Sequence, residues 1–223
     1  MPTRNRTSIA ATLCTVFTVT MLLALAPTAL ADTATPRGGA VFSQQTLSAP
    51  KGAFVGRSTT LNGHVESGGG RYAISAKIGK ADWLPVTQVI ADGEGDFTFS
   101  WKARKQGRYN FRITPVGNAS ASQVEATGLV HVYRKQKTTW YGPGFYGKRT
   151  ACGKKLTKRT IGVAHRKLKC GTKVEFFHAG KKIVVPVIDR GPFVRGVRWD
   201  LTFAAMKRLG SSETIMPGVL PLR

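Results

Sequence analysis

Through the middle of this chain large apolar residues recur at every second position, a period that strands satisfy and long amphipathic helices do not. Tyr72, Ile74, Ala76 and Ile78 fall on one face of an extended segment, Phe97, Phe99 and Trp101 on another, and Tyr109, Phe111 and Ile113 on a third. Turn signals separate them at short intervals: Ser67-Gly68-Gly69-Gly70, then Asp92-Gly93-Glu94-Gly95. Short alternating strands punctuated by glycine-rich turns predict an all-β sandwich over residues 48–134, ending with the strand at Leu129 to Tyr133.

In length and strand number that module resembles an immunoglobulin-like β-sandwich, without the cysteine pair of antibody domains. Its alternating aromatics are read as core, because packing two sheets face to face requires them. His64 and His131 are read as ordinary strand residues. The acids at Asp92, Glu94 and Asp96 stand too close together around a turn to supply converging calcium ligands.

Ahead of the sandwich, residues 1–31 have the form of an export signal. A basic start at Arg4 and Arg6 precedes an apolar run from Ile9 to Leu25, and Ala29-Leu30-Ala31 offers a cleavage site. A membrane anchor is disfavoured by Thr12, Thr15, Thr18 and Thr20, since a spanning helix needs about 20 predominantly apolar residues. The mature chain is expected to start at Asp32, to carry no spanning segment and to be secreted into the cell-wall space, with residues 32–47 as a flexible lead-in. Export removes Cys14 and leaves Cys152 and Cys170, for which an oxidising compartment favours a disulfide over two free thiols. The formal charge of +23 calls for an anionic partner or a solvated basic surface. For an exported protein the anionic partner nearest to hand would be peptidoglycan or another wall polymer, and charge alone does not separate this from a solvated surface; the signal argues against nucleic acid. Oligomeric state is not legible.

After a basic linker, Arg134-Lys135-Gln136-Lys137, with the linker proper at residues 135–138, residues 139–223 carry a different pattern. Thr139-Trp140-Tyr141-Gly142-Pro143-Gly144-Phe145-Tyr146-Gly147 leads to Thr150-Ala151-Cys152-Gly153. Ile161-Gly162-Val163-Ala164-His165 and Lys169-Cys170-Gly171-Thr172 follow, then Ile188-Asp189-Arg190-Gly191-Pro192-Phe193 and Trp199-Asp200-Leu201-Thr202. In order and spacing these blocks resemble the double-psi β-barrel of the rare lipoprotein A family, similar to expansins and other barwin-like folds. The resemblance implies a six-stranded barrel with short helices. It implies activity at His165 and Asp189, and importance for Asp200 by likeness to expansins. It also leads one to expect an acid where this chain has Lys154.

The residues themselves support a narrower chemistry. From Thr138 onward the carboxylates are Glu175, Asp189, Asp200 and Glu213. Glu175 alternates with apolar neighbours and is read as solvent-facing, and Glu213 lies beyond the blocks. A hydrolytic glycosidase uses two carboxyl groups. A lytic transglycosylase manages with one acid/base, because the sugar's own hydroxyl attacks the anomeric carbon. Asp189, Asp200 and His165 are therefore the catalytic candidates, and an ion pair of Asp189 with Arg190 or Arg195 is the structural alternative.

Trp140, Tyr141, Phe145, Tyr146, Phe193 and Trp199, with Arg190, are the candidate glycan contacts; the aromatics either stack on sugar rings or plug the barrel end. Lys181-Lys182 is expected to turn a hairpin. Asp200 to Leu209 has a helical period, with Thr202 as cap and Gly210 as stop. No metal-ligand spacing and no cofactor motif is present. Two functions stay open: a peptidoglycan lytic transglycosylase, or a non-catalytic, expansin-like wall binder.

Overall fold

The computed structural model describes residues 46–66, 68–117 and 124–222, with backbone alone over 124–128. The expected export signal and nearly all of the expected lead-in lie outside these residues. The strands are β1 (Thr46–Ser48), β2 (Ala53–Phe54), β3 (Ser58–His64), β4 (Gly70–Ile78), β5 (Leu84–Ala91), β6 (Asp96–Lys102), β7 (Gly107–Pro115) and β8 (Val124–Lys135). They continue as β9 (Thr138–Tyr141), β10 (Val163–Ala164), β11 (Lys173–His178), β12 (Lys181–Asp189), β13 (Trp199–Thr202) and β14 (Gly218–Pro221), with one helix, α1 (Phe203–Leu209), among the described residues. That helix is too short to cross a membrane.

One sheet has the order β1-β3-β6, and β5-β4-β7-β8 lies in a second. The period of two is realised as burial: Phe97, Phe99 and Trp101 alternate with exposed residues along β6. They meet Tyr72, Ile74, Phe111 and Ile113 from the second sheet in one apolar core. Trp101 packs edge-on against Phe111 at 5.0 Å between ring centroids. Leu47, assigned by sequence to the lead-in, is buried in β1, which pairs with β3.

The basic linker is not a free tether. Arg134 and Lys135 are the end of β8 and pair with Val219 and Gly218 of β14. Without that partner β14 would present an open edge. The second sheet therefore runs on without a break, through β14-β11-β12-β10-β13-β9. Gly218 sits against Phe54 and Tyr133, where a side chain would collide with both rings.

These last six strands enclose a second core of Val163, Val174, Phe176, Val187, Trp199 and Leu201, closed by Ala205, Met206 and Leu209 of α1. Parallel pairing of β10 with β12 and of β13 with β9, amid antiparallel neighbours, is the double-psi arrangement. Two local expectations shift. Asp200 and Leu201 are strand, and the helix begins only after Thr202, whose hydroxyl accepts from Ala205 N–H as its cap. The hairpin turn is Ala179-Gly180, both at positive φ, while Lys181 and Lys182 already belong to β12. A two-residue hairpin loop of this hand needs positive φ at both positions, and a lysine pair resists it.

Candidate active site

In register, Ala164 of β10 stands between Asp189 of β12 and Asp200 of β13. Two strand spacings put the aspartate backbones roughly 10 Å apart, with the small, buried Ala164 between them. A bulge in the β10–β12 ladder at Val163/Ala164 brings Asp189 into this position; bulges re-aim side chains in this way. On the other flank Thr139 of β9 pairs with Asp200, so Tyr141, two residues on, shares that face.

Both carboxylates are half-buried, neither sealed nor free. Asp189 Oδ1 accepts from the backbone N–H of Ala151 (2.9 Å) and of Arg190 (2.8 Å). The ion pair considered from sequence does not form. The Arg190 guanidinium turns instead to the carbonyl oxygens of His165 and Asp189 and to Cys170 Sγ, so it braces the loop and is not presented to a ligand. Asp200 Oδ1 accepts from the Thr139 hydroxyl at 2.7 Å. Burial pushes its carboxyl above the ordinary aspartate range; the Thr139 bond opposes this, and the charge of Asp189 adds to it. Tyr141 is held protonated, first by burial and then by the charges of Asp189 and Asp200. Its buried hydroxyl faces Asp189 without reaching hydrogen-bonding geometry, and has no partner among the described residues.

Glu175 corrects the sequence reading. It is 3% exposed. It accepts from His131 Nδ1 at 2.7 Å and from the Tyr133 hydroxyl, so His131 is not an isolated strand histidine. That leaves Asp189 and Asp200 as the barrel's half-buried carboxylates.

His165 lies on another side. Its ring rests on Trp199 at 4.3 Å, and Trp199 and Asp200 point to opposite faces of β13. Nδ1 accepts from the N–H of Lys167 and Leu168, which puts the neutral ring's proton on Nε2. Burial lowers its pKa, with Arg198, Arg190 and Arg166 adding to the effect. His165 touches the aspartate site through the backbone, its N–H donating to Asp189 O at 3.1 Å.

The candidate glycan contacts divide. Trp199 is 2% exposed, packed on Phe176 with Nε1–H donating to Gln136 Oε1, and is a core residue with no face for a sugar. Trp140 leans on Phe203 and donates to Ser212 O, plugging the barrel end. Tyr146 packs over Gly142, where any side chain would strike its ring. Phe145 is 53% exposed and stands edge-on to Tyr141, and Phe193 is 81% exposed on its loop. Cys152 and Cys170 form a disulfide, which ties the Ala151 loop to the turn before β11. Sequence reasoning passed over Arg166, whose guanidinium donates to the carbonyls of Pro192, Val194 and Val197 and clamps the loop carrying Phe193. Nothing in an exposed arginine's local sequence announces such a clamp. A depression of about 480 Å³ in the sandwich, among Ser48, Pro50, Phe54 and Arg57, is lined by no carboxylate or histidine among the described residues.

Residues 134–222 match the family model described as "Lytic transglycolase". The chain is 42% identical over 91 residues to "Probable endolytic peptidoglycan transglycosylase RlpA" of Aquifex aeolicus, covering 40% of this chain and 39% of that one. It is 40% identical over 159 residues to "Endolytic peptidoglycan transglycosylase RlpA" of Pseudomonas aeruginosa, covering 63% of this chain and 47% of the relative. The chain thus spans less than half the length of these relatives. Among solved structures, "Streptomyces papain inhibitor (SPI)" is 25% identical with a TM-score of 0.31, over 39% of this chain and 92% of that one. In residues 134–222, which hold the β9–β14 barrel, this chain is similar to the RlpA proteins and matches the family model.

Proposed function

We propose that this protein is exported to the cell wall and cleaves peptidoglycan glycan strands by a lytic, non-hydrolytic reaction at Asp200 and Asp189. One observation carries the reading. Asp200 is half-buried, its pKa is raised, and it shares a face with a second carboxylate and a protonated, unpartnered Tyr141. A general acid needs that shift to hold a proton near its working pH.

In the reaction, Asp200 protonates the glycosidic oxygen as the C1–O bond breaks. The C6 hydroxyl of the same sugar forms the new bond to C1, and its proton passes to a carboxylate. No water is consumed. Asp189, fixed by two backbone N–H groups, faces the positive charge that develops at C1 and needs no reorganisation as it does so. Tyr141 donates its proton to a sugar oxygen, and Phe145 offers its exposed edge of the site for stacking. His165 acts as a positioning residue, pinning the end of β12 through its backbone N–H.

A second reading has one observation in its favour. Lys154, at the position where the resemblance calls for an acid, is exposed, and its backbone is bonded to Thr150. A barrel that grips glycan without cutting it would tolerate this. Digestion of purified peptidoglycan separates the two. The lytic reading requires anhydro-ended muropeptides that vanish with Asp200→Asn; co-sedimentation without any product leaves the binder.

A further inference from the structure

On the His165 side of the barrel lies a depression of about 460 Å³, walled by residues from both parts of the chain. Gln106 comes from the sandwich, Arg134 from the end of β8, Gln136 from the linker, and His165, Arg198 and Trp199 from the barrel. A smaller one adjoins it, sharing His165 and Arg198 and adding Arg166 and Lys167. Neither is lined by an acid.

Four of the side chains here, Arg134, Gln136, His165 and Arg198, offer donors. Trp199 Nε1–H occupies Gln136 Oε1, which leaves the amide nitrogen to donate. Lys167 and Leu168 occupy His165 Nδ1, which leaves Nε2–H. Among the described residues neither the Arg134 nor the Arg198 guanidinium has a hydrogen-bond or ion-pair partner. Concave surface, two uncompensated guanidinium groups and two neutral donors together match an oxyanion, the species that planar arginine donors bind best.

We propose that Arg134, Gln136, His165 and Arg198 form an oxyanion site that holds a carboxylate or phosphodiester of a wall polymer beside the cutting site. It rests on the proposed function only for the source of that anion. Binding here would use a surface that exists only because β8 runs from the sandwich into the barrel, and it would orient the polymer relative to the Asp189–Asp200 face.

The test is calorimetric titration of the full chain with three probes: inorganic phosphate, a glycerol-phosphate oligomer and an acidic stem peptide. Saturable binding of at least one probe is expected, with a shift of the His165 imidazole signals by NMR. The stronger of the two larger probes identifies the source. Arg134→Gln with Arg198→Gln should weaken binding by about tenfold or more, as expected for lost charge-assisted hydrogen bonds. Arg134→Lys with Arg198→Lys should restore part of it. Lys158→Gln with Arg159→Gln removes the same charge at an exposed turn and should change little. Equal weakening by both glutamine pairs would mean diffuse attraction to a basic surface and would overturn the proposal, as would no saturable binding. Because the readout is binding, retained affinity with no lytic product would sink the catalytic reading and leave this site standing.

Discussion

Glu175 on β11 of the barrel accepts a hydrogen bond from His131 Nδ1 on β8, 2.7 Å away, and β8 is also a strand of the sandwich. The Tyr133 hydroxyl donates to the same carboxylate oxygen, and its ring stacks on Phe177 at 5.4 Å. Burying a carboxylate costs several kcal/mol unless its acceptors are filled, and here both donors come from the strand that joins the two cores.

Tyr133→Phe keeps the ring packing and removes one donor, so it is expected to destabilise the chain by about 2 kcal/mol, the scale of a hydrogen bond to a charged group. Denaturant unfolding measures it. Followed by sandwich and barrel probes together, the transition should move as one; a shift confined to the barrel probe would contradict coupling through β8.

Asp200 makes a prediction with a definite sign. Its folded pKa is raised, so the protonated form stabilises the fold below the ordinary aspartate pKa, and that stability is lost as pH rises through the raised value. Asp200→Asn mimics the protonated acid and keeps the acceptor for Thr139. It is expected to unfold at a higher temperature than the parent at neutral pH, with the difference shrinking on acidification, while lysis is lost.

His165 has the opposite sign for stability. Its folded pKa is lowered by burial and the surrounding arginines, so its contribution is present above the ordinary imidazole pKa and is lost as pH falls through the lowered value. His165→Asn, which can still accept from Lys167 and Leu168 N–H, should flatten the fall in melting temperature through that mildly acidic window. An unchanged pH profile would contradict the assignment.

Tyr141→Phe separates stability from catalysis. The hydroxyl is buried without a partner, so deleting it should leave stability unchanged within about 0.5 kcal/mol or raise it slightly. Lytic rate should fall about tenfold or more if the phenol stabilises charge in the transition state. Unaltered turnover would remove Tyr141 from the mechanism.

The disulfide closes a loop with a sequence separation of 18 residues. Replacing both cysteines by serine is expected to cost about 3 kcal/mol in the chain-entropy view. It should also slow lysis, because the Ala151 N–H that holds Asp189 sits on the tethered loop. Calorimetry and digestion measure the two effects separately.

What the sequence disclosed and what it concealed follow from how far each residue's environment is local. Phe97, Phe99 and Trp101 announce a buried face because alternation is a property of the strand itself. Thr202 and Gly210 announce helix ends for the same reason. Glu175 deceives. By alternation with Val174 and Phe176 it belongs on the outer face of β11, but that face is covered by His131 and Tyr133 from a strand some 40 residues earlier. Trp199 reads as a glycan platform beside Asp200, yet alternation turns the two to opposite faces. Asp189 and Asp200 were both named from sequence, but their sharing of a face depends on the small Ala164 between them and on one bulge. The separation of His165 from them depends on its ring finding Trp199, a contact 34 residues away.

In the proposed reaction Asp200 and Asp189 cut glycan without water. Digestion in heavy-oxygen water, with product masses read by mass spectrometry, tests it directly. The account predicts muropeptides with an anhydro ring and no label at the new end. Labelled reducing ends, or undigested peptidoglycan with a correctly folded chain, would contradict it.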